Sequence, residues 1–239
     1  MIYNKITENI KKSKQLALLI DPENYTEESL KETLQIADEA SFDFFLVGGS
    51  LISKPIDDTI QLIKKYTRKP VILFPGSLMQ LSDKADGILF LTLISGRNPE
   101  LLIGNQVLAA PFLKKSGIEV IPTGYLLIDE GNMSSVEYIS NTRPIPQGKV
   151  DLITATATAG ELLGLKMIYL EAGSGARSSI QPLVIKAVKS TIKIPLIIGG
   201  GIRSAETVRE LFEAGADIIV VGNAVENHPE TILEISKAK

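Results

Sequence analysis

Residues 196–225 read LIIGGGIRSAETVRELFEAGADIIVVGNAV. An apolar run leads into Gly199, Gly200 and Gly201, then a Ser-Ala-Glu helix start opens an amphipathic segment. A second apolar run follows and ends in Gly222. The order is strand, loop, helix, strand, with both strands closing on small residues. Ser204 is suited to cap a helix over Ala205–Glu213, because its hydroxyl can accept from an otherwise unpaired backbone N–H.

Outward from this stretch the same unit recurs. Short apolar, β-branched runs occupy Leu16–Asp21, Phe44–Gly49, Val71–Gly76, Gly87–Leu91, Glu119–Gly124, Met167–Gly173, Leu196–Gly201 and Ile218–Gly222. Amphipathic segments such as Glu27–Ala40 and Ser204–Ala214 lie between most of them. Near-continuous apolar strands alternating with helices indicate a parallel sheet covered on both faces. Eight such runs in 239 residues predict a closed (βα)8 TIM barrel, one domain over residues 1–239. Only SLMQLSDKAD separates the third and fourth runs, too short for a crossover helix with its loops. The helical unit there is therefore expected to be shortened or missing. About forty residues separate the fifth and sixth runs, including DEGNMSSVEYISNTRPIPQGKVDL, which predicts an enlarged loop.

Composition narrows the function. The net charge of −3 makes nucleic acid a poor partner, and the absence of cysteine removes disulfides, thiol nucleophiles and thiolate metal sites. The single histidine, His228, excludes a multi-histidine metal cluster. No run reaches the roughly 18 apolar residues of a spanning helix, and the N-terminus lacks a signal-peptide core. A soluble, cytoplasmic protein is expected.

The strand ends point to anions. In this barrel the loops after the seventh and eighth strands usually hold phosphate, and Gly199 to Gly201 with Gly222 and Asn223 stand there. Tyr169-Leu170-Glu171-Ala172-Gly173-Ser174-Gly175 ends the sixth strand, where Gly-Ser-Gly can add donors to the same anion. Alternation places Tyr169 and Glu171 on one face. Glu171 beside a phosphate is suited to take a proton from a substrate hydroxyl, or else to pair with Arg177 or Arg203. Asp21 ends the first strand before Pro22; it is either a Mg²⁺ ligand or the cap of the following helix. Gly48-Gly49-Ser50 after the second strand offers a further oxygen, so two anion-handling regions face each other across one mouth.

Asp21-Pro22-Glu23, Val47-Gly48-Gly49-Ser50, Pro75-Gly76-Ser77, Tyr169 to Gly175, Gly199 to Arg203 and Val221-Gly222-Asn223 together resemble the geranylgeranylglyceryl phosphate synthase family. The match runs in order from about Leu16 to Asn223, and the Tyr-Leu-Glu-Ala-Gly-Ser-Gly string is its most specific part. Ile121 to Tyr125 and the longer insert look closer to the family's second group, found in archaea and some bacteria, than to the heptaprenyl enzymes. The resemblance implies alkylation of the 3-hydroxyl of sn-glycerol 1-phosphate by a prenyl diphosphate, geranylgeranyl by analogy, giving an ether lipid precursor. It implies Mg²⁺ held by Asp21 and Ser50, with Glu171 as base and Tyr169 beside it. Glycerol phosphate would be held by Tyr169, Leu170, Glu171, Ala172, Gly173, Ser174, Gly175, Gly200, Gly201, Gly222 and Asn223. A homo-oligomer, dimer or hexamer, is also implied; with no anchor in the sequence, membrane contact is expected to be transient at most.

Many members carry a lysine soon after Asp-Pro, where this chain has Asn24 and Tyr25; Lys54 or Arg97 is expected to replace it. The prenyl groove is expected among Leu89, Leu91, Leu93, Ile94, Leu101, Leu102, Ile103, Val107, Tyr125, Leu126 and Leu127, most of which could equally be core. The apolar run LLIGNQVLAAPFLKKSG is a candidate subunit contact. A phosphosugar isomerase or synthase on the same barrel, and a non-catalytic phosphate-binding protein, remain the alternatives.

Overall fold

The structure, a computed structural model, describes residues 1–129, 131, 133–226 and 228–239. Its strands are β1 (Gln15–Ile20), β2 (Phe44–Val47), β3 (Val71–Leu73), β4 (Gly87–Leu93), β5 (Glu119–Asp129), β6 (Ile145–Pro146), β7 (Met167–Glu171), β8 (Leu196–Gly199) and β9 (Ile218–Val221). They run in the order β4-β3-β2-β1-β9-β8-β7-β5-β6, and a further β4–β5 pairing closes eight parallel strands into a barrel. β6 stands outside the ring, paired through Ile145 and Pro146 to the far end of β5. The sixth, seventh and eighth barrel strands are thus β7, β8 and β9.

Strand alternation divides the apolar residues into two layers. Phe44, Leu46, Ile72, Leu89, Tyr169 and Ile197 fill the barrel interior. Their neighbours, such as Leu16, Leu18, Phe45, Leu170 and Ile198, face the surrounding helices. Both faces of the strands are therefore covered by apolar side chains, which is why the runs read as continuously apolar.

The outer helices are α1 (Ile2–Asn9), α2 (Glu27–Glu39), α3 (Ile56–Tyr66), α4 (Asn105–Ser116), α5 (Ser135–Ser140), α6 (Val150–Leu162), α7 (Pro182–Lys189), α8 (Ala205–Ala214), α9 (Asn223–Glu226) and α10 (Thr231–Ser236). Local chemistry sets several of their ends. Thr26 and Ser29 form a reciprocal capping box before α2. The Ser204 hydroxyl accepts from the Thr207 N–H at 3.2 Å, as its position before α8 predicts. Between β3 and β4 a single 3-10 turn, Leu78–Gln80, replaces the crossover helix.

Two features depart from the sequence expectations. β5 does not stop at Gly124 but continues to Asp129, because Tyr125, Leu126 and Leu127 pair with Tyr169, Leu170 and Glu171 of β7. The enlarged segment after it carries α5, β6 and α6 rather than loop alone; its Glu130 and Asn132 lie outside the described residues.

The two mouths of the barrel are unlike. At the N-terminal mouth, α1 lays Ile6 against the interior layer, and the Glu119 carboxylate accepts from the backbone N–H groups of Ile2 and Tyr3. That cap closes one end and leaves the C-terminal end for the cavity. Asp217 ties the same lower rim. Its carboxylate accepts from the Leu196 N–H at 2.9 Å and faces Lys189 and Lys14. Replacing Asp217 with Ala is expected to lower unfolding free energy by about 2 kcal/mol, since a buried N–H is orphaned. Coincident denaturant midpoints for the variant and the parent chain would contradict this.

Candidate active site

A cavity of about 840 Å³ opens at the C-terminal end of the barrel, lined from β1 round to β9. Its polar half is built from strand-end loops, and its apolar half spreads over β4 and the start of α4.

Glu171 ends β7 and points inward with Tyr169, as alternation predicts. It is only 6% exposed. Its Oε1 accepts from the Gly173 N–H at 2.7 Å. Burial pushes its pKa up to about 7, against the opposing pull of the Gly173 N–H and the neighbouring Tyr169 hydroxyl. That hydroxyl is near the carboxylate without meeting it in hydrogen-bond geometry; it is fully buried and has no hydrogen-bond partner. Burial and then the Glu171 charge hold the Tyr169 phenol well above its ordinary range. Gly200 makes the arrangement possible. Its φ of +85° is a left-handed conformation, and a Cβ there would stand 2.5 Å from Glu171 Oε1.

The rest of the cradle closes around this pair. The Ser174 hydroxyl donates to Asn223 Oδ1 at 3.2 Å, joining the loops after β7 and β9. Arg203 donates to the carbonyls of Ala176 and Arg177 while lining the cavity. Ser174, Gly175, Gly200, Gly201, Gly222 and Asn223 all border the space. Leu170, Ala172 and Gly173, expected there as well, do not: the side chains of Leu170 and Ala172 are buried in the outer layer against the helices. The Gly173 N–H is already taken by Glu171.

Across the mouth, Asp21 follows β1. Its Oδ1 accepts from the Glu23 N–H at 3.0 Å, so it does cap the short 3-10 turn Pro22–Asn24. It also lines the cavity with Ser50; the helix it was expected to cap, α2, is capped instead by Thr26, because the 3-10 turn separates Asp21 from the start of that helix. Gly49 allows this, because a Cβ there would collide with all three carboxyl atoms of Asp21. Burial raises the Asp21 pKa, with the Glu23 charge adding to it.

The cations expected to replace a lysine are elsewhere. Lys54 Nζ donates to the carbonyls of Pro22, Glu23 and Tyr25 at 2.9, 3.3 and 2.8 Å. It staples the loop after β1 to that after β2. Arg97 turns back onto the carbonyls of Ile94 and Gly96. Neither borders the cavity, whereas Asp21, Glu23, Glu171 and Glu226 do; among the described residues Arg203 is the only lysine or arginine that lines it.

Sequence reading missed two contributors. Phe74 reaches inward from the end of β3 and stacks on Tyr169, centroids 5.2 Å apart, with Tyr125 5.3 Å from Tyr169. Glu226 ends α9 beside Asn223, whose amide lies 3.3 Å from its carboxylate. Burial and then, among raising causes, Asp21 push its pKa up. A glutamate one helical turn past Asn223 was its only local signal.

Of the expected groove residues, Leu89, Leu91, Leu93, Leu101 and Tyr125 line the cavity, while Ile94, Leu102, Ile103, Val107, Leu126 and Leu127 do not. Ile88 and Phe90 line it as well, so both faces of β4 contribute. This follows from the 3-10 turn: with no helix over β3 and β4, the outer face of β4 stays open beside Leu78 and Leu81.

The sequence profile described as the PcrB family matches residues 8–239. The geranylgeranylglyceryl phosphate synthase of Spirosoma linguale is 47% identical over 224 residues, covering 93% of this chain and 90% of that protein. The enzyme of the same name from Methanosphaera stadtmanae is 42% identical, covering 99% and 97%. Among solved structures, (S)-3-O-geranylgeranylglyceryl phosphate synthase from Thermoplasma acidophilum, in complex with its substrate sn-glycerol-1-phosphate, superposes with a TM-score of 0.93 at 34% identity. That match covers 100% of this chain and 98% of the other.

Proposed function

The chain belongs to the PcrB family, and we propose that it is a prenyltransferase joining sn-glycerol 1-phosphate to a prenyl diphosphate, geranylgeranyl diphosphate by kinship. The observation that carries this is a single cavity with a glycine cradle and a buried carboxylate at one end and an apolar groove over β4 at the other. A small phosphosugar needs no such groove.

The glycerol phosphate is anchored by the loops after β7, β8 and β9: Ser174, Gly175, Gly200, Gly201, Gly222 and Asn223. Backbone N–H groups there approach a phosphate unobstructed. Tyr169, with its partnerless hydroxyl, and Glu171 face the bound glycerol. The Glu171 carboxylate takes the proton of the 3-hydroxyl as the oxygen bonds to prenyl C1 and the bond from C1 to diphosphate breaks. A pKa near 7 leaves this base substantially ionised at neutral pH yet strong enough to accept that proton.

Asp21 and Ser50 fit a magnesium ion. One carboxylate and one hydroxyl, with the remaining positions left to diphosphate and water, are the usual donors for Mg²⁺. The described residues hold no group of three or more His, Cys, Asp or Glu suited to a metal, so the substrate diphosphate and water would have to supply the remaining ligands. Bound there, magnesium would neutralise the diphosphate as it leaves. Asp21, Glu23 and Glu226 line this side of the cavity, and no lysine borders it among the described residues. A diphosphate therefore needs a metal to enter.

No helix among the described residues is long and apolar enough to cross a membrane. Ile103, Val107 and Leu108 on the turn into α4 and on α4 itself are 60%, 61% and 66% exposed. That apolar face supports a homo-oligomer.

The test is direct. Radiolabelled sn-glycerol 1-phosphate, Mg²⁺ and prenyl diphosphates of increasing length are incubated with the protein, and lipid product is extracted and resolved. Metal-dependent product, absent with the 3-phosphate enantiomer, is expected. No product at any chain length would sink the assignment and return the cradle to another phosphate ester.

A further inference from the structure

The shortened connection between β3 and β4 buries two polar side chains, Gln80 and Ser82, and Gln80 reaches across to the loop after β2. Gln80, last residue of the 3-10 turn, is 2% exposed. Its Oε1 accepts from the Gly76 N–H at 3.0 Å and the Gly49 N–H at 3.3 Å, and its Nε2 donates to the Gly49 carbonyl at 2.7 Å. Only this amide orientation satisfies all three bonds, since the flipped one would set NH₂ against two N–H groups. One side chain therefore binds both backbone polar groups of Gly49 and ties the loop after β2 to that after β3. The two loops are also in close contact, for a Cβ on Gly76 would overlap the Gly49 carbonyl.

Gly49 is the residue against which the Asp21 carboxylate rests, and Ser50 follows it directly. A shift of Gly49 would move the surface that sets the Asp21 rotamer and the direction in which Ser50 leaves the strand. We propose that Gln80 is a positioning residue for the metal–diphosphate subsite, holding Gly49 so that Asp21 and Ser50 present their oxygens together. This rests on the prenyltransferase assignment above. The shortened connection thus has two consequences: it opens the outer face of β4, and it puts an amide where a crossover helix would have carried the chain away.

The test uses the full chain with Gln80→Met, which keeps length and volume but removes the hydrogen bonds, and Gln80→Glu, which keeps an acceptor but sets an anionic oxygen against the Gly49 carbonyl. In Gln80→Met the half-activating Mg²⁺ concentration and the KM for prenyl diphosphate are expected to rise about tenfold, with the KM for glycerol phosphate within twofold of the parent. Gln80→Glu is expected to shift the same two constants at least as far. Amide hydrogen exchange, free of any activity, should quicken at Gly49 to Ser53 and at Gly76 while the loops after β7 and β8 keep their protection. Equal changes in both KM values, or a lower Tm with unchanged Mg²⁺ dependence, would overturn the proposal. If the parent chain itself transfers no prenyl group, the assignment beneath it falls; unchanged exchange at Gly49 in Gln80→Met would then separately dispose of the clamp.

Discussion

Glu171→Gln is expected to lower turnover by about 10²–10⁴-fold, the usual worth of a positioned general base. Glycerol phosphate binding should stay within a few-fold of the parent, because a glutamine oxygen can still accept from the Gly173 N–H and the cradle is untouched. The same substitution should stabilise the fold at alkaline pH. The Glu171 pKa is about 7 in the folded chain against an ordinary 4.5. With the folded value raised, its contribution to stability is fully present below 4.5 and is lost as pH rises through 7. Above that window the buried charge costs about 3 kcal/mol, which the amide removes. Calorimetric titration of glycerol phosphate, turnover, and melting curves at pH 5 and 8 check the three parts together. In the parent, kcat/KM for glycerol phosphate should climb with pH and level off above about 7, as the base loses its proton. Near-parental turnover in Glu171→Gln would remove Glu171 as the base.

Asp21→Asn should cost about 10²–10³-fold in turnover and most of the response to Mg²⁺, since the carboxylate proposed to hold the ion loses its charge while keeping its shape. The shape matters because the amide can keep the hydrogen bond from the Glu23 N–H and the contact with Gly49. Loss of function would then report charge and not collapse of the loop. Glycerol phosphate affinity, measured without prenyl diphosphate, should not move. Gly49→Ala offers an independent approach to the same subsite, because its added Cβ must displace the Asp21 carboxylate. An Asp21→Asn protein with parental half-saturation by Mg²⁺ would place the metal elsewhere.

Some of this site can be read from local pattern alone. Apolar runs of strand length ending in Gly, Asp or Ser mark the eight barrel strands, and the ten residues between Val71–Gly76 and Gly87 leave no room for a helix. Glycines in series at strand ends mark loops that border the cavity, and period two puts Tyr169 and Glu171 on one side. Each of these follows from sterics and hydrogen-bonding within a few residues, so it survives whatever the rest of the chain does. Thr26 with Ser29, and Ser204 with Thr207, are caps for the same reason.

Other features depend on which distant segment arrives alongside. Lys54 and Arg97 were plausible diphosphate ligands by position, yet nearby carbonyls satisfy both. Leu170 sits within the most specific motif but turns its side chain away from the site. Nothing local announces that Gln80 lies against Gly49, 31 residues earlier, that Phe74 stacks on Tyr169, or that Glu226 approaches Asp21. The raised pKa of Glu171 is likewise a property of the closed barrel, because it comes first from burial. By itself, then, the sequence determined the barrel, the missing helix, the cradle and the inward carboxylate, all consequences of short-range periodicity and backbone freedom. Closure of the sheet decided which cations are spent, which side chain braces Asp21 and how basic Glu171 becomes, because burial and long-range hydrogen bonds exist only once β4 has met β5.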